Sequence, residues 1–317
     1  MTRFEKAIRI VIHTCLNLNK NESLLIVIDE EKRELGLLLK KTASRISHHV
    51  FLLEHEIYGG SRNLSSPRLK ELLMGIDSVI FASNKMFFPS EELRVACHHG
   101  ARVLCISNIS NECIERCVNT DFNYIAQKSN RIADLLTIGK TMELTTPAGT
   151  ELTAIIKDRS AVAETGIVRE PGMSSSLPSG KASISPHKRK VNGILVVDGS
   201  MGQYGLVKEP IRLEINNGHV NKIYGKGSAD ILRKAINKVG VNGRKIVEIG
   251  IGTNPNAELL GISREDERVH GIVHIVLGDQ SDEKNHNFEN NQISLTIKAP
   301  TVDIDNHLIV VDGMPKV

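Results

Sequence analysis

Apolar and polar positions follow different periods in the two halves of the chain. Helical spacing over residues 4–18, 32–46, 67–73, 89–98 and 123–140 alternates with short apolar runs at 23–28, 50–53, 78–81 and 102–106. Helices that alternate with apolar strands predict a parallel sheet covered by helices. We therefore expect residues 1–140 to form an α/β domain of the Rossmann-like kind.

The pattern changes after Met142. Runs of valine, isoleucine and threonine alternate with glycine turns such as Asn192-Gly193 and Asn217-Gly218, which is typical of antiparallel strands joined by tight turns. A helix over 229–239 interrupts them. We predict that residues 141–317 form an α+β domain in which strands dominate. The segment 172–190 is rich in serine, glycine and proline, and we interpret it as a surface loop.

Composition excludes several classes of function. The net charge is only +3, with no Trp, 4 Tyr and 7 Phe, so single-stranded nucleic acid and sugars that need aromatic platforms are disfavoured. The first 20 residues carry charges within their apolar stretch and have no small-residue cleavage site, which argues against a signal peptide. No apolar run is long enough to cross a bilayer. We expect a cytoplasmic protein that binds neither nucleic acid nor membrane.

The 5 cysteines fit reduced thiols, because an odd number confined to the first half does not form a disulfide framework. Cys113 and Cys117 are one helical turn apart, and Cys97 precedes His98-His99, so a metal site is conceivable. We interpret all five as small buried hydrophobic side chains.

Other short motifs carry little chemistry. Ser185 and Lys188 fit an S-x-x-K pattern, but Pro186 prevents the helix that this pattern needs. The glycine pairs Gly225–Gly227 and Gly250–Gly252 are interpreted as turn or bulge glycines. No turn between a predicted strand and helix carries a dinucleotide-binding or P-loop motif.

Two ionisable residues lie inside apolar strand patterns. Glu248 interrupts Val247-Glu-Ile-Gly-Ile, and His274 interrupts Val273-His-Ile-Val-Leu. A buried charge must be paired or must bind a cation. If the two strands lie side by side, these residues form a buried polar site.

The second half resembles a known family. It is similar to the thermophilic aminopeptidases of the aminopeptidase T and S type, and to their relatives, the 2,5-dihydroxypyridine ring-cleaving dioxygenases. The motifs that carry the resemblance are Thr146–Leu152, Leu177–Gly180, Asn192–Gly199, Glu248–Pro255, Gly271–Asp279 and Pro300–Val302. They occur in the family's order and cover essentially the whole second domain.

The resemblance implies a metal site whose ligands are only partly present. The aminopeptidases bind two divalent metals through Glu, His and Asp, and the dioxygenases hold one iron through His and Asp. Glu248 and His274 match metal-binding positions. Lys181 stands where the family has a ligating glutamate, and Gln292 and Ser294 stand where it has a histidine-x-aspartate pair. The resemblance also implies a homodimer with the active site near the domain junction.

All three exchanges weaken the binding of a divalent metal. Glutamine and serine are neutral and bind divalent metals poorly, and an ammonium repels them. We hypothesise that Lys181 replaces the metal and pairs with Glu248. We therefore expect no cofactor and no metal ligands; the alternative is zinc, manganese or iron held by Glu248 and His274. His187 and His286 are interpreted as solvated.

The expected function is that of a divergent aminopeptidase-family protein without the usual metal pair. It would bind or process a peptide or an amino-acid-derived small molecule, and a biosynthetic pathway is one setting for it. If it is an enzyme, it is peptidase-like or a rewired acid–base enzyme. A lowered lysine pKa or a carboxylate–imidazole contact would support acid–base catalysis. The alternative is a metal-dependent aminopeptidase or iron dioxygenase with an altered ligand set. The residues assigned are Lys181, Glu248 and His274 for catalysis, and Asn254, Asp279, Gln292 and Ser294 for substrate binding.

Overall fold

The computed structural model describes residues 1–54, 67–84, 91–278 and 292–317. The helices are α1 Arg3–Ile10, α2 Arg33–Ala43, α3 Pro67–Leu73, α4 Glu91–His98, α5 Asn111–Val118, α6 Phe122–Ile138, α7 Ser228–Val239 and α8 Ser263–Asp266. The strands are β1 Leu24–Ile28, β2 Val50–Glu54, β3 Ser78–Ser83, β4 Arg102–Ser107, β5 Thr141–Thr145, β6 Glu151–Ile155, β7 Val162–Glu164, β8 Ser174–Leu177, β9 Lys181–Ile184, β10 Val191–Val197, β11 Ile211–Asn216, β12 His219–Tyr224, β13 Ile246–Gly252, β14 Val273–Gly278, β15 Gln292–Ile297, β16 Thr301–Ile304, β17 His307–Val311 and β18 Met314–Pro315. Among the described helices, none is long and apolar enough to cross a bilayer.

The chain forms two compact units, and neither is a single continuous segment. The first contains residues 1–122 and 166–179, and the second contains residues 123–165 and 180–317. From sequence we expect one domain over residues 1–140 and another over residues 141–317. That division stays a prediction.

The first unit contains the expected parallel sheet. Its strand order is β2-β1-β3-β4-β8, and each neighbouring pair runs parallel. One face of the sheet packs on α3 and α4 through Leu69, Leu73, Leu93 and Ala96. Helix α5 was not among the expected elements; Ser110 caps it by accepting a hydrogen bond from the Cys113 amide.

The interpretation of segment 172–190 as a surface loop was wrong for two stretches. β8 pairs with β4 in the first unit, and β9 pairs with β7 and β13 in the second. Ser175 and Ser176 are buried on β8, and the Ser175 hydroxyl accepts a hydrogen bond from the Gly166 amide. Serine resembles a loop residue in composition, but a buried strand tolerates it when its hydroxyl is satisfied.

The second unit is dominated by strands, as expected. An eight-stranded sheet has the order β12-β11-β10-β6-β5-β16-β17-β18, and a five-stranded sheet has the order β15-β14-β13-β9-β7. All pairings in these two sheets are antiparallel. Both sheets contribute to one core with α6 and α7. The architecture is therefore mixed: one parallel sheet and two antiparallel sheets.

Candidate functional site

One face of the five-stranded sheet is polar although it is largely buried. Side chains alternate between the faces of a strand, and residues directly opposite each other share a face. Val273, Ile275 and Leu277 of β14 enter the apolar core, and the residues between them point to the other face. The polar face thus carries, by register, Glu164, Lys181, Ser183, Glu248, His274, Ser294 and Thr296.

Two glycines of β13 make room on this face. A Cβ on Gly250 would lie 2.2 Å from Cε1 and 2.5 Å from Nε2 of His274, so the imidazole lies directly over this position. A Cβ on Gly252 would lie 2.1 Å from the Val269 carbonyl oxygen, so the backbone of the segment after α8 crosses here. The interpretation of this pair as turn or bulge glycines was therefore wrong. It admits an aromatic ring and a backbone that approach the strand closely.

Lys181 lies at the centre of the polar face. Its Nζ donates to Oε1 of Glu248 at 3.1 Å and to Oε2 of Glu267 at 2.9 Å, and lies 3.9 Å from Oε1 of Glu164. The Lys181 side chain is only 10% exposed. The expected contact between Lys181 and Glu248 is confirmed, and the ammonium has two further carboxylate neighbours.

A second buried cation closes this network from the other side. Arg268, whose side chain is 2% exposed, donates to Oε2 of Glu164 at 2.6 Å and to Oε2 of Glu267 at 2.8 Å. Glu267 also accepts a hydrogen bond from the Ser263 hydroxyl at 3.0 Å. The two cations and the three carboxylates leave one net negative charge when His274 is neutral. Such an arrangement stabilises buried charges only while every member keeps its partners.

The pKa values follow from this geometry. Burial alone raises the pKa of Glu248, but Lys181 and His274 outweigh it and lower the pKa to about 2. Burial has the same effect on Glu267 and Glu164, and the two cations hold both pKa values below the ordinary range. For Lys181, burial lowers the pKa, yet the carboxylates of Glu248, Glu267 and Glu164 raise it above its usual value. Lys181 is thus a permanent cation at neutral pH.

Glu248 and His274 form a carboxylate–imidazole pair across β13 and β14. Nε2 of His274 lies 3.1 Å from Oε1 of Glu248. The pKa of Glu248 is low, so its carboxylate is ionised and accepts; Nε2 therefore carries the hydrogen. In the neutral ring the free lone pair is then on Nδ1. His274 is fully buried, and its Nδ1 has no hydrogen-bond partner within the described part of the chain.

A second unsatisfied polar atom lies on the same face. The Ser294 hydroxyl is buried and also has no partner among the residues that the structure describes. Ser294 is opposite Val276, two pairs along the ladder from His274 and Thr296 and therefore on the same face. Thr296, by contrast, is satisfied, because its hydroxyl accepts from the Ser200 amide at 2.6 Å. Buried polar atoms without partners are rare and call for an explanation such as catalysis or a bound molecule.

The other residues assigned to substrate binding lie as follows. Asn254 is fully buried just after β13, and its Oδ1 accepts a hydrogen bond from the Asn256 amide at 2.9 Å. Gln292 begins β15, opposite Gly278. Asp279 lies outside the described residues, as does His286. Substrate contact by these side chains stays a prediction.

Sequence reasoning missed three members of the network: Glu164, Glu267 and Arg268. Glu164 ends a three-residue edge strand, and the other two lie in Ser263-Arg-Glu-Asp-Glu-Arg268, which has the composition of a solvated helix. The available signal was the glycine-rich end of β13, since a backbone must cross there. That signal does not say which residues cross.

The remaining candidates lie away from this face, and Sγ of Cys113 lies 4.0 Å from Sγ of Cys117. Lys188, of the S-x-x-K pattern, is exposed in the turn after β9. Cys15, Cys105, Cys113 and Cys117 are buried free thiols, as expected, whereas Cys97 is half-buried.

Comparison with known proteins places this geometry in a family. The family model NicX, 2,5-dihydroxypyridine 5,6-dioxygenase, matches residues 38–316. The chain belongs to the NicX family. The resemblance to this group and to the aminopeptidases of the T type is thereby confirmed. A search of curated protein sequences finds no match for this NicX-family chain.

Solved structures agree on the fold. The structure of 2,5-dihydroxypyridine dioxygenase from Pseudomonas putida KT2440 is similar with a TM-score of 0.84 and 18% identity, covering 99% of this chain and 98% of that one. Wild-type AmpT from Thermus thermophilus is similar with a TM-score of 0.68 and 12% identity, covering 99% of each chain. At these identities the likeness shows the NicX-type fold and does not transfer an activity.

The NicX family implies a metal, but the residues described on this polar face do not fit one. The distances of 2.9 and 3.1 Å from Nζ of Lys181 are those of ammonium–carboxylate hydrogen bonds, whereas divalent metals hold oxygens at about 2.0–2.6 Å. On this face, no three His, Cys, Asp or Glu ligand atoms of the described residues lie within 4.8 Å of one another. A metal among these carboxylates would have to displace the ammonium.

Proposed function

We propose that this NicX-family protein catalyses proton transfer on a small polar molecule without a metal. His274 is the general base, acting through Nδ1. Glu248 orients the imidazole, and Lys181 holds Glu248. This function is that of the rewired acid–base enzyme expected from the sequence, which works without the usual metal pair.

The observation that most supports this assignment is the buried Nδ1 of His274, which has no hydrogen-bond partner among the described residues. A carboxylate that accepts from one imidazole nitrogen fixes the tautomer and leaves the other nitrogen as the base. Leaving a buried acceptor unpaired costs about 1–3 kcal/mol. A substrate proton directed at Nδ1 would account for that cost.

Lys181 supports this chemistry as a charge and not as a proton carrier. Of the two signs that favour acid–base catalysis, the carboxylate–imidazole contact is present, whereas the lysine pKa is raised and not lowered. The ammonium keeps Glu248 ionised, so the carboxylate accepts from Nε2 over the whole neutral range. Loss of that cation would let Glu248 take up a proton and release the ring.

The proposed substrate class is a peptide or an amino-acid-derived small molecule. Glu248 is 27% exposed, the most accessible member of the network, and no hydrogen bond joins its Oε2 to another described residue. An ionised carboxylate with a free oxygen accepts from N–H and O–H groups. Ser294 supplies a hydroxyl on the same face.

The experiment is a thermal-shift screen followed by turnover assays. Dipeptides, amino acids and hydroxylated aromatic acids are tested first with the parent protein, because a ligand that binds only the folded state raises Tm. Compounds that raise Tm are then assayed for product in the presence and absence of a chelator. We expect turnover that the chelator does not change and that His274→Gln abolishes while binding persists.

A metal-dependent enzyme of the same family is the competing function, and the family match favours it. It predicts that turnover requires added iron, zinc or manganese and stops with a chelator. That result would overturn the proposal. Binding without turnover under any condition would leave a binding protein and would equally refute the assignment of His274 as a base.

A further inference from the structure

A cation lies where three carboxylates converge, and the fold supplies the carboxylates from separate strands and loops. Glu164 comes from the edge strand β7, Glu248 from β13 and Glu267 from the segment after α8. All three have an oxygen within 3.9 Å of one nitrogen, Nζ of Lys181. His274 adds an imidazole nitrogen beside Glu248.

These surroundings are chemically a divalent-cation shell that contains an ammonium. Carboxylate oxygens and an imidazole suit Mn²⁺ and Zn²⁺, whereas the ammonium of Lys181 offers donors only and repels a metal ion. Arg268 already neutralises part of the charge of Glu164 and Glu267. Removing the ammonium would therefore leave an excess negative charge in a buried place, which a divalent ion would relieve.

We infer that Lys181 is a built-in replacement cation, and that its removal converts this face into a divalent-metal site formed by Glu164, Glu248, Glu267 and His274. The side chain of Lys181 spans the position through hydrogen bonds, so the carboxylates stay apart at ammonium distances. Without it, we expect the carboxylate side chains to rotate toward a bound ion until their oxygens reach metal distances. This inference concerns binding and does not depend on the acid–base function proposed above.

The experiment compares the parent protein with Lys181→Ala, using Mn²⁺ as the probe. Each protein is incubated with Mn²⁺, passed through a desalting column and analysed for metal; Tm is measured with Mn²⁺ and with a chelator. We expect Lys181→Ala to retain a stoichiometric amount of Mn²⁺ and to gain Tm with it. The parent should retain only traces, and its Tm should not change.

Two further variants control the result. Lys188→Ala removes an exposed lysine close in sequence and should behave like the parent. Lys181→Ala combined with Glu267→Gln should lose most of the retained metal, because one ligand becomes neutral. Lys181→Glu, expressed with Mn²⁺, replaces Lys181→Ala if the latter does not fold.

A folded Lys181→Ala protein that neither retains Mn²⁺ nor gains Tm would overturn the inference. Stoichiometric Mn²⁺ in the parent would also overturn it, since the ammonium would then not exclude the ion. Failure of both Lys181 variants to fold in Mn²⁺ counts against it too, because metal would not have replaced the lost cation.

Discussion

The two faces of the sheet β15-β14-β13-β9-β7 are both buried, yet they are stabilised in different ways. One face contributes side chains such as Ile249, Ile275 and Leu295 to the core, where burial of apolar area is favourable without any particular partner. On the other face, Lys181 and Arg268 are stabilised by specific carboxylates. A substitution on the apolar face should therefore lower the free energy of unfolding according to the side-chain volume removed. On the polar face, the loss should depend on which charged partner is removed.

The largest effect that separates the two faces is expected for Arg268→Met. The substitution leaves the carboxylates of Glu164 and Glu267 with the ammonium of Lys181 but without the guanidinium, and breaking a buried ion pair costs about 3–5 kcal/mol. Urea unfolding measures the loss at pH 7, and the loss should shrink at pH 4 because the stranded carboxylates can then take up protons. Arg212→Met, at an exposed position on β11, is the control. A loss below that of the control would mean that the network is not stabilised by its charges.

The apolar face should respond to Ile275→Ala without this pH dependence. Ile275 is fully buried, and truncation of such a side chain costs about 2–5 kcal/mol through lost burial and a cavity. The same urea titrations at pH 7 and pH 4 check it. A loss that differs strongly between the two pH values would contradict the distinction drawn between the faces.

Gly250→Ala tests the contact between the strand and the imidazole. The new Cβ would meet the His274 ring at 2.2 Å, so the ring must move and its bond to Glu248 is disturbed. We expect a loss of about 1–3 kcal/mol, typical of overpacking, together with loss of turnover on any substrate found. Gly75→Ala is the matched control, because nothing lies within 4 Å of its Cβ. Equal stability of the two variants would refute the close approach of the ring.

The smallest effect concerns the acid limb of stability. The pKa of Glu248 falls from 4.5 to about 2 on folding, so its contribution is fully present above pH 4.5 and is lost as the pH falls toward 2. The free energy of unfolding of Glu248→Gln should therefore decline less steeply between those pH values than that of the parent. Glu143→Gln, at an exposed position, should leave the slope unchanged. Parallel slopes for the parent and Glu248→Gln would contradict a depressed pKa.

The local pattern of apolar and polar residues predicts most of the helices and strands of the fold. The apolar runs of β1, β3 and β4 and the helices between them follow from hydrophobic spacing alone, and so does the parallel sheet that they form. β8 was missed because Ser174-Ser-Ser-Leu177 has the composition of a loop; its strand character comes from pairing with β4, a partner distant in the chain. β9 lies in the same segment, and it pairs with β7 and β13.

The site was predictable only in part, and for a similar reason. Glu248 and His274 are visible as polar residues within apolar strands, and the pairing of Lys181 with Glu248 came from the family resemblance. Glu164 and Arg268 are 104 residues apart, and nothing in either local sequence indicates that they meet. Buried charges are defined by such distant partners, so periodicity cannot reveal them.

The proposed chemistry requires an ammonium, and not a metal, at the centre of the polar face. Metal analysis of the parent protein tests this most directly, after incubation with Fe²⁺, Zn²⁺ and Mn²⁺ in turn and desalting. We expect far less than one equivalent of each ion, with no difference between the parent and Glu248→Gln. A full equivalent that disappears in Glu248→Gln or His274→Gln would contradict it.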